Sequence, residues 1–347
     1  MRAAPLPILL LPLIPFMTEA ANYSARKAVV EGIEVVHLGD AARQVDVSIA
    51  PSIGNMAYEM NVRGRNILWI PFQTPDELKQ NPALCGVPFL APWANRIDGD
   101  AYWANGKKYL LNPDLGNLRR DTHQKPIHGL LNFSPLWTVS ALGADERSAY
   151  VSSRIEFWRH PALMAQFPFA HNITMTYRLS HGELEVETVL ENLAHEPMPV
   201  AIGYHPYFRL HDAPRDQWKA HLAARDHLVL DNLLIPTGEV RPNPFANPFP
   251  LHGAQLDDVF SDLVRDRDGR AHFWVQGKKE RITVTYGPKY PVAVVYAPAA
   301  REFICFEPMS AITNAFNLAH TAIYKDLQSV PPGAAWKESF WISTTGF

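Results

Sequence analysis

The stretch ITMTYRL at residues 173–179 is followed, after Ser180-His181-Gly182-Glu183, by LEVETVL at residues 184–190, and this pair of runs decides the fold class. In the first run Ile173, Met175, Tyr177 and Leu179 fall on one side, and Thr174, Thr176 and Arg178 on the other. A period of two turns one face of a strand to a core and the other to water. His181-Gly182 reads as the hairpin turn between the runs, because glycine supplies the positive φ that a tight connection demands.

The same pattern extends in both directions. Residues 29–38 are rich in β-branched side chains, and residues 44–49 alternate, with Val45, Val47 and Ile49 opposite Asp46 and Ser48. Residues 147–157 repeat the alternation. Further strands are expected over 271–276, 281–286, 292–296 and 302–306, with turns at Gly277-Lys278 and Gly287-Pro288. Helix signals are few. Thr74-Pro75-Asp76-Glu77 can open a short helix, with Thr74 as cap and Pro75 in the first turn, and residues 317–324 suggest another. Proline numbers 30 in a chain of 347 residues. Each proline inside a helix costs about 3 kcal/mol, so a long-helix protein is excluded. The expectation is an all-β protein, a large antiparallel β-sandwich of two sheets packed face to face. It occupies residues 28–345 as a single domain, since no linker, repeat or composition shift divides that span.

Composition narrows the function. Apolar residues make up 47% of the chain and charged residues 19%, which is not the balance of a disordered segment. A net charge of -3 without a basic run argues against nucleic acid as a partner. Cys85 and Cys305 lie in no CxxC pair, and Cys305 within Phe303-Ile304-Cys305-Phe306 reads as a buried free thiol. At the N-terminus, Met1-Arg2, an apolar run from Ala3 to Phe16 and small residues at Ala20-Ala21 resemble a secretory signal over residues 1–21, although four prolines weaken its helix. With a cleaved leader the protein is exported, periplasmic or secreted; without one it is cytoplasmic. The leader is too short to span a bilayer, and no other segment is long and apolar enough, so no membrane partner is expected for the mature chain.

Dinucleotide, P-loop, serine-hydrolase and zincin motifs are absent from the sequence. Polar residues stand instead where an ordinary strand would not put them. Trp93-Ala94-Asn95-Arg96-Ile97 sets an amide beside a guanidinium, which is either a clamp on hydroxyls or half of a structural salt bridge. Pro126-Ile127-His128-Gly129 places a histidine in a loop next to a residue of special backbone geometry. Gly203-Tyr204-His205-Pro206-Tyr207-Phe208 delivers a histidine between aromatic rings, and Pro206 makes the strand irregular there or an edge. Glu307 follows the apolar run at 303–306. It is either a partly desolvated general base or a carboxylate emerging into solvent as the strand ends. Asp257-Asp258 precede Val259-Phe260 as an acidic pair or an ordinary loop.

In this order, NRI at 95–97, IHG at 127–129, GYHPYF at 203–208, DxxF at 257–260 and FEP at 306–308 resemble the aldose 1-epimerase (galactose mutarotase) family. NGKKY at 105–109 and IPTG at 235–238 fit as well, so the likeness spans roughly residues 28–345. The resemblance implies a galactose mutarotase-like supersandwich that interconverts the anomers of a free aldose without cofactor or metal. Its partner is a small-molecule sugar, an aldohexose or aldopentose. It implies Glu307 as catalytic base and His205 as catalytic acid, on opposite sides of the anomeric centre. It also implies His128 near the ring oxygen, and Asn95, Arg96 and Asp257 on sugar hydroxyls, with Asp257 preferred to Asp258 only for its three-residue step to Phe260. The Tyr204-His205-Pro206 text departs from many relatives and leaves the sugar open, as the oligomeric state is open. Three other functions remain in view. One is a sugar-binding protein without turnover. Another is a glucose-6-phosphate 1-epimerase using Arg119-Arg120. The third is a glycoside hydrolase using Asp257 and Glu307.

Overall fold

The computed structural model describes residues 22–347; the leader read at 1–21 lies outside them. The hairpin forms as its pattern requires. His171–Ser180 pairs antiparallel with Glu183–Asn192. His181 (φ 53°) and Gly182 (φ 76°) both take the left-handed conformation that matches the twist of the flanking strands. Their backbone donors are also used. His181 N–H donates to the Tyr23 hydroxyl at 3.0 Å, and Gly182 N–H donates to Asp40 Oδ2 at 2.9 Å. The turn therefore docks on the first strands of the chain.

Two large sheets carry the architecture. The nine-stranded sheet runs, in spatial order, Phe249–Pro250, Lys219–His221, Ala271–Gln276, Arg281–Tyr286, Ala335–Thr345, Glu183–Asn192, His171–Ser180, Ala149–Glu156 and Thr138–Ala144. The eight-stranded sheet runs Pro236–Pro242, Ala224–Leu230, Leu256–Leu263, Val292–Ala297, Ile304–Met309, Gly203–Tyr204 and Phe89–Leu90, with Tyr207–Phe208 also on Ile304–Met309. One hydrophobic core fills the space between them. Phe306 meets Phe273 across it at 6.1 Å, Tyr204 meets Phe340 at 4.7 Å, and the Tyr204 and Thr188 hydroxyls are hydrogen-bonded. The β-sandwich expectation therefore holds. A third sheet, of five strands from Tyr23–Val30 to Arg65–Asn66, was not foreseen.

Several element boundaries differ from the sequence reading. Residues 29–38 are not one strand, because Glu31 and Gly32 (φ 47° and 82°) turn the chain between Tyr23–Val30 and Ile33–Asp40. The strand expected at 302–306 begins at Ile304 and continues through Pro308 to Met309, held by its register with Val292–Tyr296. Pro75–Gln80 is helical with Thr74 as its cap, as expected, but the later helix is Ala315–His320 rather than 317–324. A short helix at Pro161–Gln166 had no sequence signal that was read. Among the described residues no helix is long and apolar enough to cross a membrane.

His171 shows what this core demands of a titrating group. It is buried, its ring stacks on Phe157 at 4.2 Å, and its Nδ1–H donates to the Phe169 carbonyl at 2.6 Å. Burial lowers its pKa from 6.5 to about 4. The folded chain thus favours the neutral ring. Stability is full above 6.5 and falls as pH drops toward 4, by up to about 3 kcal/mol from this residue. Denaturant titrations between neutral pH and pH 4 should show that decline, and His171→Gln should flatten part of it. A slope unchanged by the substitution would show that His171 is not the group responsible.

Candidate active site

The centre of the site is set by register. Glu307 lies opposite Val294, Val294 opposite Val259, and Val259 opposite Leu228. Directly opposed residues share a sheet face, so these four point the same way. Cys305, Tyr296 and Asp257 form the neighbouring row on that face. Phe306 and Val295, one step along, point into the sandwich core instead. A one-residue slip would exchange the two sets. Glu307 is therefore not a carboxylate leaving a strand end. It is inside the strand and 1% exposed.

His205 reaches Glu307 through an interruption. The Gly203–Tyr204 and Tyr207–Phe208 strands both pair with Ile304–Met309, and His205-Pro206 fills the break between them. Gly203–Tyr204 also pairs with Phe89–Leu90, so the segment is irregular rather than an edge. His205 N–H donates to the Pro88 carbonyl at 3.1 Å, and the ring stacks on Tyr207 at 4.6 Å. His205 Nε2 then lies 3.2 Å from Glu307 Oε1. The two groups are in direct contact.

His128 completes the group, edge-on to His205 with ring centroids 5.6 Å apart. Its loop is built from left-handed residues, Asn95 (φ 52°), His128 (φ 62°) and Gly129 (φ 67°). His128 N–H donates to the Asn95 carbonyl at 2.9 Å, and Leu130 N–H to the Ala91 carbonyl at 2.7 Å. Asn95 is buried beside it. Arg96 Nε donates to Asp121 Oδ2 at 2.7 Å, so the structural salt bridge exists, and the same cation is felt at Glu307, Asp257 and both histidines. His227 Nε2–H donates to Asp258 Oδ1 at 2.8 Å on the other sheet face, whereas Asp257 lies on the Glu307 face. All six expected residues are thus brought to one neighbourhood. The sequence reading missed the aromatic wall beside them, Trp69, Tyr296 and Phe303 with Tyr207. Trp69 comes from a distant segment, and no local pattern marks it.

Electrostatics follow from burial. Desolvation, then the charge of Asp257, raises the Glu307 carboxyl well above its usual range, with Arg96 opposing. Desolvation lowers His205 to about 3, and Arg119 and Arg96 push the same way. His128 is lowered well below its ordinary value, first by burial and then by His205 and the two arginines. Glu307 Oε2, His205 Nδ1 and His128 Nδ1 are buried without hydrogen-bond partners. Buried polar atoms are normally satisfied, so three orphans in one place mark a site prepared for an external partner. A cavity of about 500 Å³, lined by Leu228, Pro236, Val240 and Ile312, includes none of Glu307, His205 and His128 in its lining. It contains no comparable acid–base pair, so cavity size does not locate the chemistry here.

The fold is a supersandwich with a buried carboxylate–imidazole pair on one sheet face. Residues 56–343 match the family described as aldose 1-epimerase, and the chain belongs to that family. It is similar to YihR of Escherichia coli (strain K12), an uncharacterized protein, at 25% identity over 66% of this chain and 70% of that one. Among solved structures it resembles a galactose mutarotase-like protein from Clostridium acetobutylicum. That likeness has TM-score 0.83 and 20% identity, covering 94% of this chain and 99% of that one. It also resembles the GalM/aldose epimerase homologue from C. elegans, with TM-score 0.69 and 17% identity, covering 93% and 99%. At those identities the structures speak for the fold.

The His128 loop depends on the absence of a side chain at Gly129. A Cβ there would stand 2.1 Å from the Ala91 carbonyl oxygen, whereas at Gly99, also left-handed, it would meet nothing within 4 Å. Gly129→Ala should therefore lower the thermal midpoint clearly more than Gly99→Ala, whose conformational cost is about 1 kcal/mol. Equal losses in calorimetry would show that the loop does not rest on Ala91.

Proposed function

We propose that this protein is an aldose 1-epimerase that interconverts the α and β anomers of an aldose by opening and reclosing its hemiacetal ring. The observation that carries the reading is the buried contact of His205 Nε2 with Glu307 Oε1 at 3.2 Å. In a cyclic aldose the anomeric hydroxyl and the ring oxygen are bonded to the same carbon. A donor and an acceptor one hydrogen bond apart can therefore serve both oxygens at once.

The proton balance is simple. Glu307 takes the proton of the anomeric hydroxyl while His205 gives one to the ring oxygen. The bond from C1 to the ring oxygen breaks, and C1 becomes the aldehyde. Rotation about C1–C2 presents its other face, and the reverse transfers close the ring. Burial favours the uncharged arrangement, with the proton on Glu307 and a neutral His205. The charged arrangement differs by one transfer across the 3.2 Å contact. Both hold one proton and offer one donor and one acceptor. His128 stands beside the ring oxygen, and Asn95, Arg96 and Asp257 hold hydroxyls, where a missing hydroxyl would leave buried groups unpaired. A glycosidase reading with Asp257 and Glu307 as its carboxylates leaves the two buried histidines beside Glu307, His205 and His128, without a role. A binder without turnover would gain nothing from burying this pair.

Glu307→Gln and His205→Asn should each lower the anomerisation rate by about 10²–10⁴-fold while leaving the fold intact. Polarimetry on freshly dissolved α-D-glucose and α-D-galactose measures this. Variants as active as the parent would overturn the assignment. The pH profile carries a second expectation. The pair works while it holds one proton. With His205 lowered to about 3, kcat/KM should show no acid-side inflection at the ordinary histidine value of 6.5. Activity halved near that pH would mean that His205 titrates like an exposed imidazole.

A further inference from the structure

One row of residues on the Glu307 face crosses four strands. Tyr207 lies opposite Cys305, Cys305 opposite Tyr296, and Tyr296 opposite Asp257. The next row holds Glu307, Val294 and Val259. Directly opposed residues stand about 5 Å apart at Cβ, and diagonal neighbours about 7–8 Å apart. Tyr296 is therefore a direct neighbour of Asp257 and a diagonal neighbour of Glu307. Burial separates the members of these rows. Tyr207, Cys305, Glu307, Val294 and Val259 are buried, whereas Tyr296 and Asp257 keep accessible surface. The part of this floor that an incoming molecule can touch is thus one phenol ring and one carboxylate.

The Tyr296 ring is held from behind. It lies 5.9 Å from Phe303 and packs on the buried cluster of Tyr207, Phe303 and Cys305, against which Trp69 also packs. On its other flank it stands 5.9 Å from His205, with the two rings at 76°. His205 in turn stacks on Tyr207, so the imidazole touches the tyrosines on both sides of Cys305. A tyrosine placed only to pack would be covered, as Tyr207 and Phe303 are. Tyr296 is instead fixed on one side and open on the other, and a ring already fixed loses little freedom when a ligand settles on it. A pyranose matches this floor. Its hydroxyls radiate from the rim, and its faces present C–H bonds. A sugar that puts one hydroxyl on Asp257 and its anomeric hydroxyl on Glu307 lies across the residue that adjoins both, and an aromatic ring meets C–H bonds without demanding a hydrogen bond.

We propose that Tyr296 is a substrate-contact residue, a platform on which a C–H face of the aldose rests while its anomeric end reaches Glu307 and His205. This rests on the epimerase reading of the same site and adds to it the residue that keeps the sugar in place during turnover. Ring opening breaks the bond from C1 to the ring oxygen, and the aldehyde turns about C1–C2. The C–H bonds at C3 and C4 take no part, so their contact with Tyr296 persists through the open-chain stage. A contact made alike with both anomers and with the transition state serves binding rather than the chemical step.

Polarimetry of the full chain, started separately from the α and β anomers of glucose and of galactose, tests the proposal. Tyr296→Ala should raise KM about tenfold from either anomer and leave kcat within about threefold, the pattern of a lost uniform contact. Tyr296→Phe keeps the ring and should stay within about twofold of the parent KM. Thermal midpoints are read alongside. If Tyr296→Ala does not fold, Tyr296→Leu takes its place; it fills the space without a flat ring and should still raise KM at least about threefold. An unchanged KM in the ringless variant, a rise just as large in Tyr296→Phe, or a loss confined to kcat overturns the platform while the epimerase reading stands. If the parent protein accelerates no sugar, both fall.

Discussion

A carboxylate buried to 1% exposure must be protonated or paired, and Glu307 is held against the His205 imidazole. Its 3.2 Å contact with His205 is the constraint around which the site is arranged. The same lack of water raises Glu307 and depresses His205, and it removes the solvent that would compete for their contact. Asp257 strengthens the effect on Glu307, and Arg96 limits it. Without that balance the pair would be a fully inert acid or a costly buried charge.

Holding two side chains this closely falls to backbone that is not regular. Glu307 needs an intact strand, because only register with Val294 turns it to the open face. His205 needs the opposite, a strand broken for two residues so that a ring can cross toward its neighbour. Pro206 supplies the break, and Tyr207 immediately resumes pairing opposite Cys305. His128 arrives from a third direction, on a loop that only left-handed residues can trace, with Gly129 pressed on the Ala91 carbonyl. Prolines recur at these joints: the Pro88 carbonyl holds His205 N–H and the Pro126 carbonyl holds Ile97 N–H. The proline surplus thus serves partly to end or interrupt strands where chemistry is needed.

Much of this was legible in the residues. Alternation at 173–190 gave the hairpin, and the polar interruptions at 95–96, 128, 205 and 307 marked the residues that the structure gathers. What was misread has local causes. The 29–38 run hides a turn because Glu31 contributes no turn signature and Gly32 is easily passed over in a β-branched stretch. The strand through Glu307 was ended too early because proline in an apolar run reads as a stop. Trp69 was invisible because nothing near it in sequence relates it to Tyr207 and Phe303, on which it packs.

By itself the sequence determined the β class, the turn chemistry and the set of acid–base residues, because each is written in patterns a few residues long. Only the tertiary structure decided which of two adjacent groups faces the candidate site. Asp257 rather than Asp258 faces Glu307, since alternate residues of a strand point to opposite faces. Arg120 rather than Arg119 is paired with an acid, since Asp100 folds back onto one and not the other. Such choices depend on register and on long-range pairing, and these exist only once distant strands have met.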